Sequence, residues 1–207
     1  MRPKRLLEIC RKRGIDRIAL TDHNTIAGAL EAASLDPTRV IVGEEIMTSH
    51  GELLAYYVSE EIPPGLRPEE AIARLRSQGA LISVSHPFDP WRSGAWRDRD
   101  LHGILPLIDA IEVFNARSWP ASADARAAAL AQKAGVLRTA GSDAHAYLEI
   151  GRVGMRLPPF EDAQGMRQAL AGAQLFGRRS SPMVHWLSRY ASWRKAVGGT
   201  RRESAGG

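Results

Sequence analysis

The chain has 207 residues, of which 44% are hydrophobic and 25% charged, with a net charge of +5. That length suits one domain or at most two small ones, and the composition excludes collagen, a disordered tail or a coiled coil as the main state. No apolar run approaches the roughly 20 residues needed to span a bilayer, and the apolar stretch after Met1-Arg2-Pro3-Lys4-Arg5 is broken by Glu8, Arg11, Lys12 and Arg13, so it does not read as a secretion signal.

In chain order, Leu6 to Arg13 has helical spacing and stops at Gly14. It carries Cys10, the single cysteine, which excludes an internal disulfide and points to a reducing cytoplasm. Cys10 reads as a buried structural thiol. Ile15 to Leu20 reads as a short strand, and Thr25 to Ala33 as a helix beginning beyond Thr21-Asp22-His23-Asn24. The β-branched Val40-Ile41-Val42 predicts a buried strand, and Leu53 to Val58 a second, paired to it through a turn around His50-Gly51. Pro68 to Gln78 reads as a helix with proline in its first turn, closed by Gly79. Ala80 to Ser85 is strand-like, and Phe88 to Arg99, with Pro90, Trp91, Gly94 and Trp96, is an irregular loop. A short helix over Leu101 to Leu107 and a strand over Ile108 to Phe114 follow. The alanine-rich segment Ala121 to Ala134 is strongly helical and closes at Gly135 before a strand at Val136 to Ala140. A helix over Phe160 to Ala171, a last strand at Gln174 to Phe176, a terminal helix over Met183 to Val197 and a disordered tail over 198–207 complete the reading. With no linker or repeat, residues 1–197 are expected to form a single domain.

Alternating strands and helices, with strands apolar on both faces, argue for an α/β fold with a parallel sheet covered by helices. The polar residues favour closing that sheet into a barrel. The strands lead in turn to Asp22 and His23, to Glu44 and Glu45, to His86, to Glu112 and Asn115, and to Asp143 and His145. In a barrel of parallel strands these ends converge on one face. Imidazole and carboxylate together suit Zn²⁺, Fe or Mn²⁺, and such mixed sets hold pairs of ions that act on phosphorus. Any one of these residues alone has an ordinary structural explanation; their recurrence at successive strand ends points to a metal site. His50, His102 and His185 lack that context. Much of the excess positive charge lies near the C-terminus, in Arg178, Arg179, Arg189, Arg194, Lys195, Arg201 and Arg202. Without interleaved aromatics it reads as solvated surface rather than a nucleic-acid footprint.

Taken as an ordered set, these segments resemble the PHP (polymerase and histidinol phosphatase) superfamily of metal-dependent phosphoesterases. The resemblance runs through Ile18-Ala19-Leu20-Thr21-Asp22-His23-Asn24-Thr25, Val42-Gly43-Glu44-Glu45-Ile46, Ser85-His86-Pro87, Glu112-Val113-Phe114-Asn115 and Gly141-Ser142-Asp143-Ala144-His145. It implies a distorted (β/α)7 barrel, two or three divalent ions (Mn, Zn or Fe), and hydrolysis of a small phosphorylated substrate by metal-activated water. It implies His23, Glu44, His86, Asp143 and His145 as metal ligands, with Glu44 a candidate bridge between ions and Asp22 orienting the site from behind. Glu112 and Asn115 match the family pattern too, though packing or loop hydrogen bonds account for them nearly as well. Arg117, just past that strand end, is a candidate for gripping a substrate phosphate and equally a solvated loop arginine.

Two departures stand out. The family pattern begins with a His-x-His-Thr strand, and this chain has no histidine before His23. The first barrel strand and its ligands are therefore expected to be missing, through a start assigned too late or natural shortening, leaving exposed backbone edges. Many family members also have a histidine where Glu52 falls; a glutamate there is a candidate ligand that shifts preference towards Mn²⁺ or Mg²⁺. The expected function is a phosphoesterase acting on a small molecule, without a membrane role. The alternatives are a nuclease acting on nucleic-acid ends and a barrel that has lost activity with its His-x-His motif.

Overall fold

The computed structural model describes residues 1–180. The helix expected over 183–197 and the tail over 198–207 lie outside the described residues. The elements in order are α1 (Pro3–Lys12), β1 (Ile18–His23), α2 (Ala27–Leu35), β2 (Val40–Met47), β3 (Glu52–Tyr56), α3 (Pro68–Ser77), β4 (Leu81–Val84), α4 (Asp98–Ile104) with a 3-10 turn at Leu105–Leu107, β5 (Ala110–Asn115), α5 (Ala121–Ala134), β6 (Leu137–Gly141), β7 (Val153–Arg156), α6 (Ala163–Leu170) and β8 (Gln174–Gly177). Among the described residues no helix is long and apolar enough to cross a membrane.

Local sequence explains most of these bounds. Pro3 and Pro68 open α1 and α3, where a missing N–H costs nothing. Gly79 and Gly135 follow α3 and α5 at φ of +75° and +68°, a conformation that glycine adopts without a Cβ clash. Leu6, Leu7 and Cys10, spaced for one helix face, pack α1 against Ala32 of α2 and Ile150. The free thiol of Cys10 is fully buried.

Strands β1 to β6 form one six-stranded sheet in chain order, and β7 and β8 form a separate antiparallel pair. The expected parallel sheet is mixed. β1/β2, β4/β5 and β5/β6 are parallel, but β3 runs antiparallel to both β2 and β4. The cause is local: the β2–β3 turn is closed by Thr48 N–H donating to Gly51 O at 3.0 Å, and so short a connection joins only antiparallel strands. The sheet curls as a half-barrel; among the described residues β1 is hydrogen-bonded to β2 alone. β1 also extends past the expected strand end to include Asp22 and His23. The short strand β7, with only Val153 buried, carries no alternation that would mark it in the sequence.

The two sheet faces differ. The outer face carries Ile46, Leu53, Ala55, Ile82, Val84 and Ile111, packed against Ile72 and Leu75 of α3, Leu101 and Ile104 of α4 and Leu130 of α5. The inner face is apolar at one end, where Ile41, Leu54, Tyr56 and Leu81 meet Met166 and Leu170 of α6. Towards the C-terminal ends of the parallel strands the same face turns polar, with Glu45, Glu52, Ser85, Glu112 and Asn115 all buried. The reversed β3 still contributes there, because its first residue, Glu52, lies at that end.

Candidate metal centre

Four side chains meet at the polar end of the inner face. His23 closes β1, Glu45 lies on β2, Glu52 begins β3 and His86 follows β4. His23 Nδ1 lies 3.5 Å from Glu45 Oε2 and 3.6 Å from Glu52 Oε1. His86 Nε2 lies 3.3 Å from Glu45 Oε1 and 3.4 Å from Glu52 Oε2. Two imidazoles and two carboxylates thus alternate, with His23 Nδ1 and His86 Nε2 each facing one oxygen of each glutamate. The ligand atoms of His23, Glu45 and Glu52 all fall within 4.8 Å of one another. His86 is 3% exposed, and neither ring nitrogen makes a hydrogen bond among the described residues. The buried His86 Nε2, facing two carboxylates without a hydrogen bond, is compatible with a cation site, and this donor set fits a divalent transition metal.

The electrostatics reflect crowding. Burial, reinforced by the Glu45 charge, pushes Glu52 up. Burial also acts on Glu45, but the two imidazoles and the Ser85 hydroxyl hold it below its ordinary range. Ser85 Oγ donates to Glu45 Oε1 at 2.9 Å. Burial opposes the His86 imidazolium, yet the Glu45 and Glu112 carboxylates outweigh it and push the ring up to about 9. Burial likewise pushes Glu112 up to about 7, against the His86 charge and a hydrogen bond from Asn115.

Asp143 and His145 follow β6 on the same rim. Asp143 takes a left-handed φ of +47°, which aspartate tolerates better than most residues. His145 Nδ1 lies 3.4 Å from Asp143 Oδ1 and 3.0 Å from the Asp143 carbonyl, while Arg92 donates to Asp143 Oδ2. A cavity of about 920 Å³ opens beside these groups and runs along β1; its walls include Asp22, His23, Glu45, Glu112, Asn115, Asp143 and His145.

The residues singled out from sequence separate as follows. His23 and His86 meet in the ring, joined by Glu52, and Asp143 and His145 meet beside it. Glu44 does not join them. It is fully buried on the opposite face of β2, where Oε2 accepts the Ile62 N–H at 3.0 Å and burial pushes its pKa up. Its neighbour Glu45 occupies the ring position instead. Asp22 lines the cavity, its carboxylate packed close over Gly28 at the start of α2. Glu112 Oε2 accepts the His86 N–H and the Asn115 side-chain amide, each at 3.0 Å. Asn115 Oδ1 accepts the Arg117 N–H at 2.8 Å, so Asn115 braces the strand end. Arg117 is not at the cavity. It is 4% exposed, with Nε 3.6 Å from Glu149 Oε1.

Three contributors were not among the ligands expected from the sequence. Glu45 was detectable from the turn: pairing across Thr48–Gly51 sets Met47 opposite Glu52, so Glu45 shares the face of Glu52. Glu149 accepts the N–H groups of His145 and Ala146 at 3.0 and 2.9 Å, fixing the loop that carries His145. Arg92 sits in an irregular loop with no periodic signal.

Comparison with known proteins adds one family model, two relatives and three solved structures. A family model described as PHP-associated matches residues 122–174. The uncharacterized protein MJ1587 of Methanocaldococcus jannaschii is 42% identical over 118 residues, 55% of this chain and 66% of that protein. MJ0417 of the same organism, also uncharacterized, is 36% identical over 155 residues, 73% of this chain and 62% of that protein. The chain therefore spans slightly less than two thirds of either relative. Among solved structures, a two-domain Bacteroides vulgatus protein, described as containing a predicted PHP-like metal-dependent phosphoesterase, aligns with a TM-score of 0.67 at 18% identity over 86% of this chain and 60% of that one. A Bifidobacterium adolescentis protein assigned as a metal-dependent phosphoesterase aligns with a TM-score of 0.58 at 18% identity over 82% of this chain and 90% of that one. A lesion-specific endonuclease from Pyrococcus furiosus aligns with a TM-score of 0.57 at 16% identity over 86% of this chain and 54% of that one. At these identities the structural likeness is one of fold.

Proposed function

We propose that this chain, of PHP type in its motif order, its PHP-associated segment and its fold, is a metal-dependent hydrolase of phosphate esters acting on a small phosphorylated substrate. The observation that carries this reading is the alternating ring of His23, Glu45, His86 and Glu52, of which His23 and Glu45 line a cavity. Those residues would hold one divalent ion, and Asp143 with His145 offers ligands for a second; Mn²⁺, Zn²⁺ and Fe²⁺ all suit such donors. Bound there, such ions supply Lewis acidity towards a phosphoryl group and towards water.

The chain's own groups prepare that chemistry. Ser85 and the two imidazoles keep Glu45 ionised in a buried site. Glu112 anchors the His86 amide through one oxygen; at about 7, set by burial, its carboxyl lies where it can hold or release a proton near neutrality. Glu149 fixes the backbone ahead of His145. The surrounding strands exclude water from His86 and Glu52, which strengthens every charge interaction among them.

The deciding experiment measures phosphate release from a panel of nucleoside monophosphates and sugar phosphates after loading with Mn²⁺, beside shortening of end-labelled oligonucleotides. Release from the small esters, lost at least a hundredfold in His86→Ala and Asp143→Ala, supports the proposal. Shortening of oligonucleotides alone transfers the reading to a nuclease. Bound metal without turnover of either kind identifies a barrel that has lost activity.

A further inference from the structure

The loop between β4 and α4 is tied down at several points. Asp89, 1% exposed, accepts the backbone N–H of Trp91 at 3.0 Å and of Trp119 at 3.2 Å. Trp96 donates through its indole to Glu52 O at 3.0 Å, and Glu52 N–H returns to Gly94 O at 3.0 Å. Arg92 is thereby carried by a braced loop, with its side chain 19% exposed. Its guanidinium donates to Asp143 Oδ2, and its Nε lies 3.9 Å from Asp89 Oδ2. The charges of Glu45 and Glu52 act on it as well.

Asp143 Oδ2 is consequently engaged by Arg92, while His145 Nδ1, bonded to the Asp143 carbonyl, lies 3.4 Å from Oδ1. Four carboxylates, Glu45, Glu52, Asp89 and Asp143, converge on a largely buried region, and an uncompensated charge there is costly. Arg92 supplies a fixed positive charge for that region. A dication ligated by Asp143 would need the same lone pairs and would meet a guanidinium of like charge at close range.

We propose that Arg92 is a resident cation of this site: it holds Asp143 in the metal-free protein, and an entering divalent ion must displace it, so that Arg92 sets the metal concentration at which the site loads. The inference rests on the reading of these residues as a metal centre. Sequence alone gives no sign of it, because Arg92 and Asp143 are joined only by the fold.

The test is calorimetric titration of Mn²⁺ into the EDTA-stripped full chain and its variants at one pH. Arg92→Gln and Arg92→Met remove the charge while keeping part or all of the side-chain stem; Arg92→Lys keeps the charge. Both neutral variants are expected to bind Mn²⁺ roughly tenfold or more tightly than the wild type, and their metal-free forms to melt at lower temperature. Arg92→Lys is expected to stay within about threefold of wild-type affinity. Equal or weaker Mn²⁺ binding in both neutral variants overturns the proposal while leaving the metal centre standing. Absence of Mn²⁺ binding in every chain, wild type included, overturns the metal centre and this proposal with it.

Discussion

Glu44 accepts the Ile62 amide beneath the outer helices, while Glu45, one residue on, lies 3.3 Å from His86 on the inner face. Both are buried acids on one strand, and only the pleat separates their roles, because successive side chains of a strand point to opposite faces. A one-residue slip in reading that strand exchanges them. Glu45→Gln is therefore expected to weaken Mn²⁺ binding at least tenfold, whereas Glu44→Gln, which can still accept the Ile62 N–H, should leave it within about twofold; calorimetry on the pair reads the difference. Arg117 makes the same point. Its position past a strand end suited a phosphate ligand, but it is buried with Nε 3.6 Å from Glu149.

At the scale of elements, two junctions govern the geometry. The first is the loop 85–97 against the start of β3. An added Cβ on Gly94 would fall 2.2 Å from the Glu52 carboxyl carbon, and one on Gly51 would fall 2.3 Å from the Trp96 indole. Gly94→Ala is expected to push Glu52 out of the ring and lower Mn²⁺ affinity severalfold with the fold retained, as judged by circular dichroism. The second junction is Asp109, ahead of β5. It accepts from Arg76 of α3 at 2.6 Å, from Arg167 of α6 at 2.8 Å and from the Ile82 amide of β4 at 2.8 Å. Burial alone would raise its pKa, but these donors hold it below the ordinary range. A carboxyl depressed in the folded state adds stability above its unfolded value of about 4 and loses it as pH falls through the folded value. Asp109→Asn should cost about 1–3 kcal/mol at pH 7, discounted because both arginines are partly exposed. Urea melts should show that gap narrowing towards pH 3.

For the whole molecule, candidate ligand atoms come from β1, β2, β3 and the loops after β4 and β6, so an ion bound among them would join these segments. A metal that binds the folded state alone stabilises it by mass action. Mn²⁺ at about a hundred times its dissociation constant should add roughly 2.7 kcal/mol and raise the melting midpoint by roughly 5–10 °C; EDTA should reverse the shift. Thermal scans of the wild type and His86→Ala check this, and an equal shift in both would place the metal elsewhere.

Local chemistry, legible in the sequence by itself, determined much of this protein. Proline and glycine set the bounds of α1, α3 and α5, alanine filled α5, and the ligand types recurring at strand ends marked the polar rim that carries His23, His86, Asp143 and His145. These signals are readable because they act within a few residues. The tertiary structure decided the rest. The short Thr48–Gly51 turn reversed β3 and made the sheet mixed, strand register chose Glu45 over Glu44, and α6 filled one end of the inner face with Met166 and Leu170. The pairing of Arg92 with Asp143, 51 positions apart in the chain, is of the same kind. Contacts between segments distant in sequence depend on how the curled sheet brings its ends together, and no local pattern of residues encodes that distance.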